Sequence, residues 1–432
     1  MSTSALLDAL YLAGLAATAP YHAWRLIANK PYRAGLRERW GHIAPTPGDS
    51  RVLWMHCSSV GEAMLARRLV PALEAGLPGW RVELSSSTET GYNTALRQLG
   101  VRSVFRHPFD LSWVVRRALK AVRPGALLLM EREIWPQLVL AAAEREVPVA
   151  LINARRFSER SLWWYRRLGG ISERMLQGIS LYLAQDERDA AFFRRLGIPE
   201  GRLNVVGNLK YDNVTVGCDA AAAEQLRMRL GWPADAPVWV AGSTHEGEEQ
   251  LLLEVYRRLR TEHPDLKLVM APRYPDRVAR VERLLSGSGV ESARWSTLKQ
   301  SAGAGGARAA AIVDTFGDLA AFYAIGSVVF VGGSFIAHGG HNVIEPAALG
   351  QPVLVGPHHE NNAEAVQFLS AAGALRVVHD ADEAAEWVSH FLSDREAARA
   401  AGRSGQEAIR KRQGACERHV QALRAWLSVS HC

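Results

Sequence analysis

The residue best suited to acid–base chemistry is a glutamate at the start of a predicted helix. Glu62 closes the segment HCSSVGE (56–62), where an apolar run typical of a β-strand gives way to a helical pattern. A carboxylate in this place could remove a proton from an attacking hydroxyl group. Ser59 and Glu62 also have the spacing of a capping box, in which the two side chains stabilise the helix start. The sequence leaves both interpretations open.

Polar side chains follow three later strands in the first half of the chain. Their segments are SSSTETG (85–91), MEREIWP (130–136) and NARR (153–156). The carboxyl ends of parallel strands meet at one edge of the sheet, where such folds bind ligands. Arg132, Arg155 and Arg156 could each contact a phosphate group through two hydrogen bonds. Turns held by salt bridges are the alternative for any single segment.

A second set of segments, rich in glycine, lies in the second half. GSTHEGEE (242–249), APR (271–273) and DTFGD (314–318) each follow a predicted strand, and GGHNVIEP (339–346) follows VGGS (331–334). Paired glycines let the backbone approach a ligand, and a helix beginning near Asn342 would direct free N–H groups at an anion. Glu345 could accept hydrogen bonds from a ribose diol. In GSTHEGEE, a helix cap from Ser243 to Glu246 is the simpler alternative.

The elements that position these segments are short apolar strands alternating with amphipathic helices. This alternation indicates βαβ units and a parallel sheet. Because the pattern restarts at Val238 after an intervening segment at 211–236, we place a boundary near Val216. We expect two Rossmann-like α/β domains, at 41–215 and 216–432, after an N-terminal segment at 1–40. We predict a surface loop at 301–308 and a helical tail at 382–428, broken at Gly402 and Gly405. The predicted strands are 52–57, 82–86, 103–107, 126–130, 147–152, 181–184, 203–206, 238–241, 267–271, 311–313, 328–331 and 352–355.

Composition and charge narrow the classes of function. Lysine and arginine number 51 against 44 aspartate and glutamate, a net charge of +7 that suits an anionic partner. The chain has neither a Walker A loop nor a recognised nucleic-acid-binding module, so we expect no nucleic-acid partner. The four cysteines are scattered without zinc spacing. Asp380 and Asp382 open a late helix, where capping explains them, so the sequence predicts no metal site.

The N-terminus carries an apolar run next to basic residues. Residues 5–23 are apolar apart from Asp8 and His22, and Arg25, Lys30, Arg33, Arg37 and Arg39 follow. The run is at the short end of what a membrane-spanning helix needs. Arginines beside it would attract anionic headgroups. We therefore expect association with the inner face of a membrane, by spanning it or by lying in its interface. A buried first helix of a soluble protein is the alternative.

Seven of these motifs, taken in order, resemble the 3-deoxy-D-manno-octulosonic acid (Kdo) transferase family. The motifs are SVGE (59–62), MEREIWP (130–136), NAR (153–155), GNLKYD (207–212), STHEGE (243–248), PR (272–273) and GGHN (339–342). The resemblance as a whole runs from the N-terminal segment to about Pro357. The resemblance implies the GT-B fold, in which two Rossmann-like domains follow one another. It also implies a transfer of Kdo from CMP-Kdo to a lipid A precursor at the inner membrane, with the catalytic domains on its cytoplasmic side.

The resemblance also implies roles for individual residues. Glu62 matches the proton acceptor of an inverting displacement that needs no cofactor. Ser59, Glu131, Arg132 and Arg155 become candidates for the acceptor side. The positions that match the CMP site are Pro272, Arg273, Phe316, Gly317, Asp318, Asn342, Val343, Ile344 and Glu345.

Other protein classes fit the sequence less well. A nicotinamide-dependent dehydrogenase needs G-x-G-x-x-G after the first strand, where this chain has SSVGE. An exported solute-binding protein needs a cleavable signal instead of a basic cytoplasmic flank. Another GT-B transferase or epimerase that uses a different nucleotide sugar remains the alternative.

Overall fold

The computed structural model describes residues 3–28, 33, 35–44, 50–99, 103–157, 162, 163, 167, 169–300 and 308–430. The chain forms two compact units. Unit 1 consists of Met1–Asn213 and Gln413–Cys432, and unit 2 of Val214–Arg412. Most of the loop predicted at 301–308 lies outside the described residues, as do Lys30 of the basic flank and Cys432.

Unit 1 is built on a parallel sheet of seven strands in the order β3-β2-β1-β4-β5-β6-β7. The strands are β1 Arg51–His56, β2 Trp80–Ser86, β3 Ser103–Arg106, β4 Pro124–Met130, β5 Val149–Ala154, β6 Leu181–Ala184 and β7 Leu203–Val205. The helices are α1 Thr3–Ala17, α2 Ala19–Ala28, α3 Leu36–Arg39, α4 Val60–Gly76, α5 Glu89–Gln98, α6 Ser112–Val122, α7 Pro136–Ala143, α8 Gly170–Gln177 and α9 Glu187–Arg195.

Unit 2 is also built on a parallel sheet of seven strands, in the order β10-β11-β9-β8-β12-β13-β14. Its strands are β8 Val238–Thr244, β9 Lys267–Pro272, β10 Ser292–Arg294, β11 Ala310–Ile312, β12 Val328–Val331, β13 Val353–Val355 and β14 Leu375–Val377. Its helices are α10 Ala220–Leu230, α11 Glu248–Glu262, α12 Val278–Gly287, α13 Trp295–Gln300, α14 Leu319–Ile325, α15 Ile344–Ala348, α16 Ala363–Ala371, α17 Ala381–Ser393 and α18 Arg395–Arg410. The prediction of two Rossmann-like α/β domains is therefore confirmed. It missed the two edge strands β10 and β14, which have only three residues each.

The central strands of each sheet are buried on both faces, which explains the continuous apolar runs of strands such as β1 and β4. Side chains of successive strand residues point to opposite faces. In β1, Val52 and Trp54 accordingly pack into the core on one face, whereas Leu53 and Met55 pack into the core on the other. Strand order reverses between β1 and β4 in unit 1 and between β8 and β12 in unit 2. Such switch points are where open α/β sheets bind ligands, beyond the carboxyl ends of the strands.

The domain boundary and the tail differ from the prediction. Unit 2 begins at Val214 and ends at Arg412, so the last helix, α19 Ala415–Ser430, belongs to unit 1. Its residues Val420 and Leu423 are buried in the core of that unit. Asp212 fixes the return of the chain, since its carboxylate accepts hydrogen bonds from the backbone N–H groups of Gly414 and Cys416. The sequence pattern of the tail is helical throughout and does not show which sheet it covers.

The predicted breaks at Gly402 and Gly405 were wrong, because both glycines lie inside α18. The tail breaks instead at Asp394 and at residues 411–414. A Cβ atom on Gly402 would lie 1.9 Å from the carbonyl oxygen of Gly350, and one on Gly405 would lie 3.1 Å from that of Ala347. The two glycines therefore allow α18 to pack closely on α15 and the residues that follow it. These tertiary contacts outweigh the low helix propensity of glycine.

The N-terminal helices α1 and α2 present apolar side chains to solvent. Leu10 is 54% and Trp24 is 64% exposed, and no residue of α1 is buried. The Asp8 carboxylate attaches α1 to unit 1, since it accepts hydrogen bonds from the backbone N–H and the hydroxyl of Ser112 and from the side-chain amide of Gln137. Among the described residues, no helix has the length and apolar character needed to cross a membrane.

Candidate active site

The carboxylate of Glu62 lies at the switch point of unit 1, in the first turn of α4. Ser59 is the N-cap residue, and its hydroxyl accepts the backbone N–H of Glu62. The Glu62 carboxylate does not reach back to Ser59. It accepts hydrogen bonds from the backbone N–H of Ser58 at 2.7 Å and from the Ser58 hydroxyl at 3.0 Å. Half of the predicted capping box is therefore present, and the other half is displaced by one residue.

Burial makes Glu62 a better base than an ordinary glutamate. Desolvation is the main cause that raises the pKa of Glu62 to about 7, the nearby charges of Glu133 and Glu131 add to it, and the hydrogen bonds from Ser58 oppose it. A helix-start glutamate in unit 2 provides a comparison. The carboxylate of Glu383 likewise accepts the backbone N–H of the residue four positions earlier, but the pKa of Glu383 is lowered, chiefly by that hydrogen bond. The capping contact therefore does not account for the elevated pKa of Glu62.

Two further carboxylates follow β4 at the same edge of the sheet. Burial raises the pKa of Glu131, although the charges of Arg155, Arg132 and Lys210 oppose this effect. Burial also raises the pKa of Glu133, but hydrogen bonding and the charge of His56 outweigh that effect and lower it. Neighbouring carboxylates with pKa values pushed in opposite directions are typical of acid–base sites. The pKa of Glu62, at about 7, is close to neutral pH.

Backbone strain is concentrated at the edges where these side chains lie. Five non-glycine residues of the described chain have a positive φ, and three of them end strands: Glu131 at 53°, Asn153 at 49° and Ser243 at 57°. Two of these three residues meet in unit 1, since the side-chain amide of Asn153 donates to the Glu131 carboxylate at 3.3 Å. Asn153 is also held by Leu209, whose N–H donates to the Asn153 side-chain carbonyl. Strained backbone that persists is a common feature of functional sites.

The predicted acceptor-side residues therefore lie at one edge of unit 1. Ser59 caps α4, and the charges of Arg132 and Arg155 act on Glu131. Sequence reasoning did not assign a role to Lys210, which also acts on Glu131 although β5, β6 and β7 intervene in the sequence. Its motif GNLKYD was noted only for the family resemblance. Arg156 is instead held by Asp189 at 3.4 Å.

Unit 2 has an open pocket at the carboxyl ends of β8, β9 and β11. It encloses about 570 Å³, open solvent included, and its lining contains four of the predicted CMP-site residues. These are Pro272, Arg273, Phe316 and Gly317. The Phe316 ring is 78% exposed, which suits stacking on a flat aromatic group. Asp318 lies beside the pocket, where its carboxylate accepts hydrogen bonds from Lys299 at 2.7 Å and Trp295 at 3.1 Å.

The helix expected near Asn342 is present, but it starts two residues later and has only five residues. The side-chain oxygen of Asn342 accepts the N–H of Ile344, Val343 is buried, and α15 begins only at Ile344. Burial raises the pKa of Glu345. Among the described residues, none donates a hydrogen bond to the Glu345 carboxylate, so its acceptor capacity is available to a ligand.

Glu345 lies near the pocket, because it acts on Tyr323, which in turn contacts the pocket residue Ser243. Burial raises the pKa of the Tyr323 hydroxyl, the charge of Glu345 raises it further, and a hydrogen bond to Ser243 opposes the shift. Ser243 itself lines the pocket. The glycine at 242 is required here, because a Cβ atom would lie 2.1 Å from the Tyr323 hydroxyl oxygen.

Glu248, which the sequence did not single out, organises the glycine-rich loop after β12. Its buried carboxylate accepts the backbone N–H groups of Gly333 at 2.7 Å, Ser334 at 2.9 Å and Phe335 at 2.9 Å, and that of His245 at 3.0 Å. The cap expected from Ser243 to Glu246 does not form, because α11 begins at Glu248 and Glu246 pairs with Arg277 and Arg280. One carboxylate thus joins the loops after β8 and β12 at the switch point of unit 2.

Comparison with known proteins decides the family. The family model described as 3-deoxy-D-manno-octulosonic-acid transferase (kdotransferase) matches residues 34–213, and that of glycosyl transferases group 1 matches 242–408. The chain is 33% identical to the 3-deoxy-D-manno-octulosonic acid transferase of Haemophilus influenzae, over 93% of each chain. It is 35% identical to the transferase of the same name from Bordetella pertussis, over 94% of this chain and 92% of the relative. The chain belongs to the Kdo transferase family.

As a member of this family, the protein is an enzyme, a glycosyltransferase. Its fold is similar to that of a solved glycosyltransferase from Rickettsia africae, with a TM-score of 0.58 at 13% identity over 89% of this chain and 99% of the other. The GT-B fold that the resemblance implied is thereby confirmed. The individual roles assigned to Glu62 and to the CMP-site residues stay predictions.

Proposed function

We propose that this Kdo transferase moves Kdo from CMP-Kdo onto a lipid A precursor, the tetraacyldisaccharide 1,4′-bisphosphate, with Glu62 as general base. The observation that carries the proposal is the half-buried Glu62 carboxylate, with a pKa of about 7, at an edge that also holds Arg132, Arg155 and Lys210. A base and a cluster of cations on one unit suit an acceptor with a hydroxyl nucleophile and phosphate groups.

The chemistry is a single displacement with inversion at the anomeric carbon. Glu62 removes the proton from a primary hydroxyl of the acceptor while that oxygen forms the new bond to the sugar. The bond between the sugar and the CMP phosphate breaks, and its electron pair leaves with CMP. The hydrogen bonds from Ser58 hold the Glu62 carboxylate in place for the transfer. Groups in unit 2 that stabilise the charge on the leaving phosphate lower the barrier.

The pKa of Glu62 predicts the pH dependence of the reaction. A general base acts in its deprotonated form, so kcat/KM should fall about tenfold per pH unit below pH 7 and level off above it. The measurement is a pH profile of kcat/KM in the wild-type enzyme between pH 5 and 9. If kcat/KM stays constant down to pH 5, the group that removes the acceptor proton has an ordinary carboxylate pKa and is not Glu62 with its raised pKa.

The pocket of unit 2 is the proposed donor site. Phe316 would stack on the cytosine ring, Arg273 would contact the phosphate, and Glu345 would accept the ribose hydroxyls. We expect Glu345→Gln to weaken CMP binding by roughly tenfold, about the value of one charge-assisted hydrogen bond. Isothermal titration with CMP measures the effect, with Glu360→Gln, an exposed glutamate of the same unit, as the control. Unchanged CMP affinity would remove Glu345 from the site.

We also propose that the enzyme works at the cytoplasmic side of the inner membrane, held by α1 and α2. The exposed apolar side chains of Leu10, Leu12, Tyr21 and Trp24 support this placement, since such surfaces on short helices insert at lipid interfaces. The Asp8 carboxylate attaches α1 to unit 1 through Ser112, so the helix that carries these apolar side chains is held against the body of the enzyme.

Replacing Leu10 and Trp24 by serine should release the enzyme from membranes without loss of CMP binding, because neither residue is buried. Flotation with vesicles containing anionic lipid measures the bound fraction. Met228→Ser, which removes an equally exposed side chain from unit 2, is the control. If the double variant floats as the wild type does, another surface makes the contact.

The choice of nucleotide tests the proposal most simply. CMP should raise the melting temperature of the enzyme, since a ligand that binds only the folded state stabilises it. UDP at the same concentration should have little effect. Stabilisation by UDP and not by CMP would instead favour a GT-B transferase or epimerase that uses another nucleotide sugar.

A further inference from the structure

Three histidines of unit 2 converge although 93 residues separate the first from the second in sequence. They are His245, in the turn after β8, and His338 and His341, in the loop after β12. One ring nitrogen from each lies within 4.8 Å of the others. The Nε2 atoms of His245 and His341 are 2.7 Å apart, and the ring centroids of His245 and His338 are 4.3 Å apart. Neither the sequence analysis nor the proposed transfer gives this cluster a role.

We propose that His245, His338 and His341 form a binding site for a divalent transition metal ion of the Zn²⁺ class. Three imidazoles with one open coordination position are a common ligand set for zinc. Two imidazole nitrogens on one tetrahedral zinc lie roughly 3.3 Å apart at Zn–N distances of about 2.0–2.1 Å. The His245–His341 pair therefore needs to open by only about half an ångström.

The backbone that carries the three rings is fixed by contacts outside the cluster. Glu248 accepts the N–H of His245, and its other three hydrogen bonds hold residues 333–335 in the same loop as His338 and His341. The side-chain amide of Asn361 donates to the carbonyl of His338, and that of Asn362 donates to the carbonyl of His341. A ligand set held in place before the ion arrives loses little entropy on binding, which favours affinity.

Glycines between and beside the histidines make the convergence possible. Gly339 and Gly340 have φ angles of 94° and 73°, in the left-handed region that other residues avoid. A Cβ atom on Gly333 would lie 2.9 Å from the His341 ring, and one on Gly339 would lie 2.3 Å from the Asn361 amide. The HGGH segment thus turns back on itself and brings His338 and His341 to the same side.

Exposure and charge are compatible with an ion that enters from solvent. His338 is exposed, His341 is half-buried and His245 is buried, so the cluster opens on one side. The carboxylate of Glu248 contributes a negative charge next to His245, whereas Arg273 and Arg277 are nearby positive charges that oppose a cation. The proposed transfer uses no step at this ion, and we expect transfer to persist in excess EDTA.

Zinc binding by the full chain, produced without a polyhistidine tag, tests the proposal. In metal-free buffer, equilibrium dialysis should show one tightly bound Zn²⁺ per chain, and Co²⁺ in its place should give the absorption bands of tetrahedral coordination. His338→Gln should weaken binding by on the order of 100-fold, since even outer-shell changes cost about 10–100-fold. Because His338 is exposed, this variant should keep the wild-type melting temperature.

His379→Gln is the matched control, because His379 is another exposed histidine of unit 2, paired with Glu383. It should bind Zn²⁺ as the wild type does. Wild-type affinity no higher than that of His338→Gln, or equal losses in His338→Gln and His379→Gln, would overturn the proposal. The measurement uses neither donor nor acceptor, so its failure would leave the proposed transfer reaction untouched.

Discussion

The Glu62→Gln enzyme should fold and bind CMP with nearly unchanged affinity. Its kcat should nevertheless fall by a factor of about 10²–10⁴, the usual contribution of a general base. The glutamine carbonyl can still accept the N–H of Ser58, and its amide group can donate to the Ser58 hydroxyl, so the start of α4 keeps its stability. It cannot accept the proton of the attacking hydroxyl. Single-turnover transfer rates, CMP titration and melting temperature together separate the two roles of this residue.

Glu383→Gln is the matched control for that experiment. Glu383 occupies the equivalent position in the first turn of α17 and accepts the N–H of His379 at 2.8 Å, but it lies in unit 2 and makes no contact with the donor pocket. Its substitution should change neither stability nor turnover appreciably. Near-normal turnover by folded Glu62→Gln would restrict Glu62 to the helix cap and move the search for the base to Glu131 or Glu133.

Replacing Glu248 by glutamine should have the largest effect on stability. The carboxylate accepts four backbone N–H groups, whereas a glutamine carbonyl offers two lone pairs. Two buried donors would lose their partners at about 1–3 kcal/mol each, a loss of about 2–6 kcal/mol. We expect the melting temperature to fall by on the order of 10 °C. CMP binding should weaken as well, because the loop held by Glu248 packs against Ser243 of the donor pocket.

Glu254→Gln tests whether the effect is specific to the buried site. Glu254 is an exposed glutamate on the same helix, α11, and its substitution should shift the melting temperature little. Equal shifts in the two variants would show that helix propensity, and not the four N–H groups, explains the result for Glu248.

The contrast between Glu62 and Glu248 shows how far the sequence could be interpreted alone. Glu62 was predictable because its partner Ser58 and its cap Ser59 are close in sequence and follow an obvious strand. Glu248 was not, since three of its four partners are 85–87 residues away and the sequence around it suggests a different cap. The histidine cluster was missed for the same reason, because His245 and His341 are 96 residues apart.

The fold was predictable where periodicity is long and local. The long strands β1 and β4 carry apolar runs that are buried on both faces, so their sequence shows their environment directly. The three-residue edge strands β10 and β14 are too short to show a period. The glycines inside α18 are explained by close packing on a neighbouring segment, and the position of α19 by its contacts with unit 1. Both depend on tertiary contacts, which helix propensity does not predict.

The most direct test of the proposed function is the transfer reaction itself. The full chain, with CMP-Kdo and the tetraacyldisaccharide 1,4′-bisphosphate in detergent, should release CMP and yield an acceptor enlarged by Kdo, both followed by mass spectrometry. CMP released and Kdo transferred should appear in equal amounts, and both should be lost together in Glu62→Gln. An acceptor that stays unmodified while the folded enzyme binds CMP, or one that gains a sugar only from a different nucleotide donor, would contradict the account.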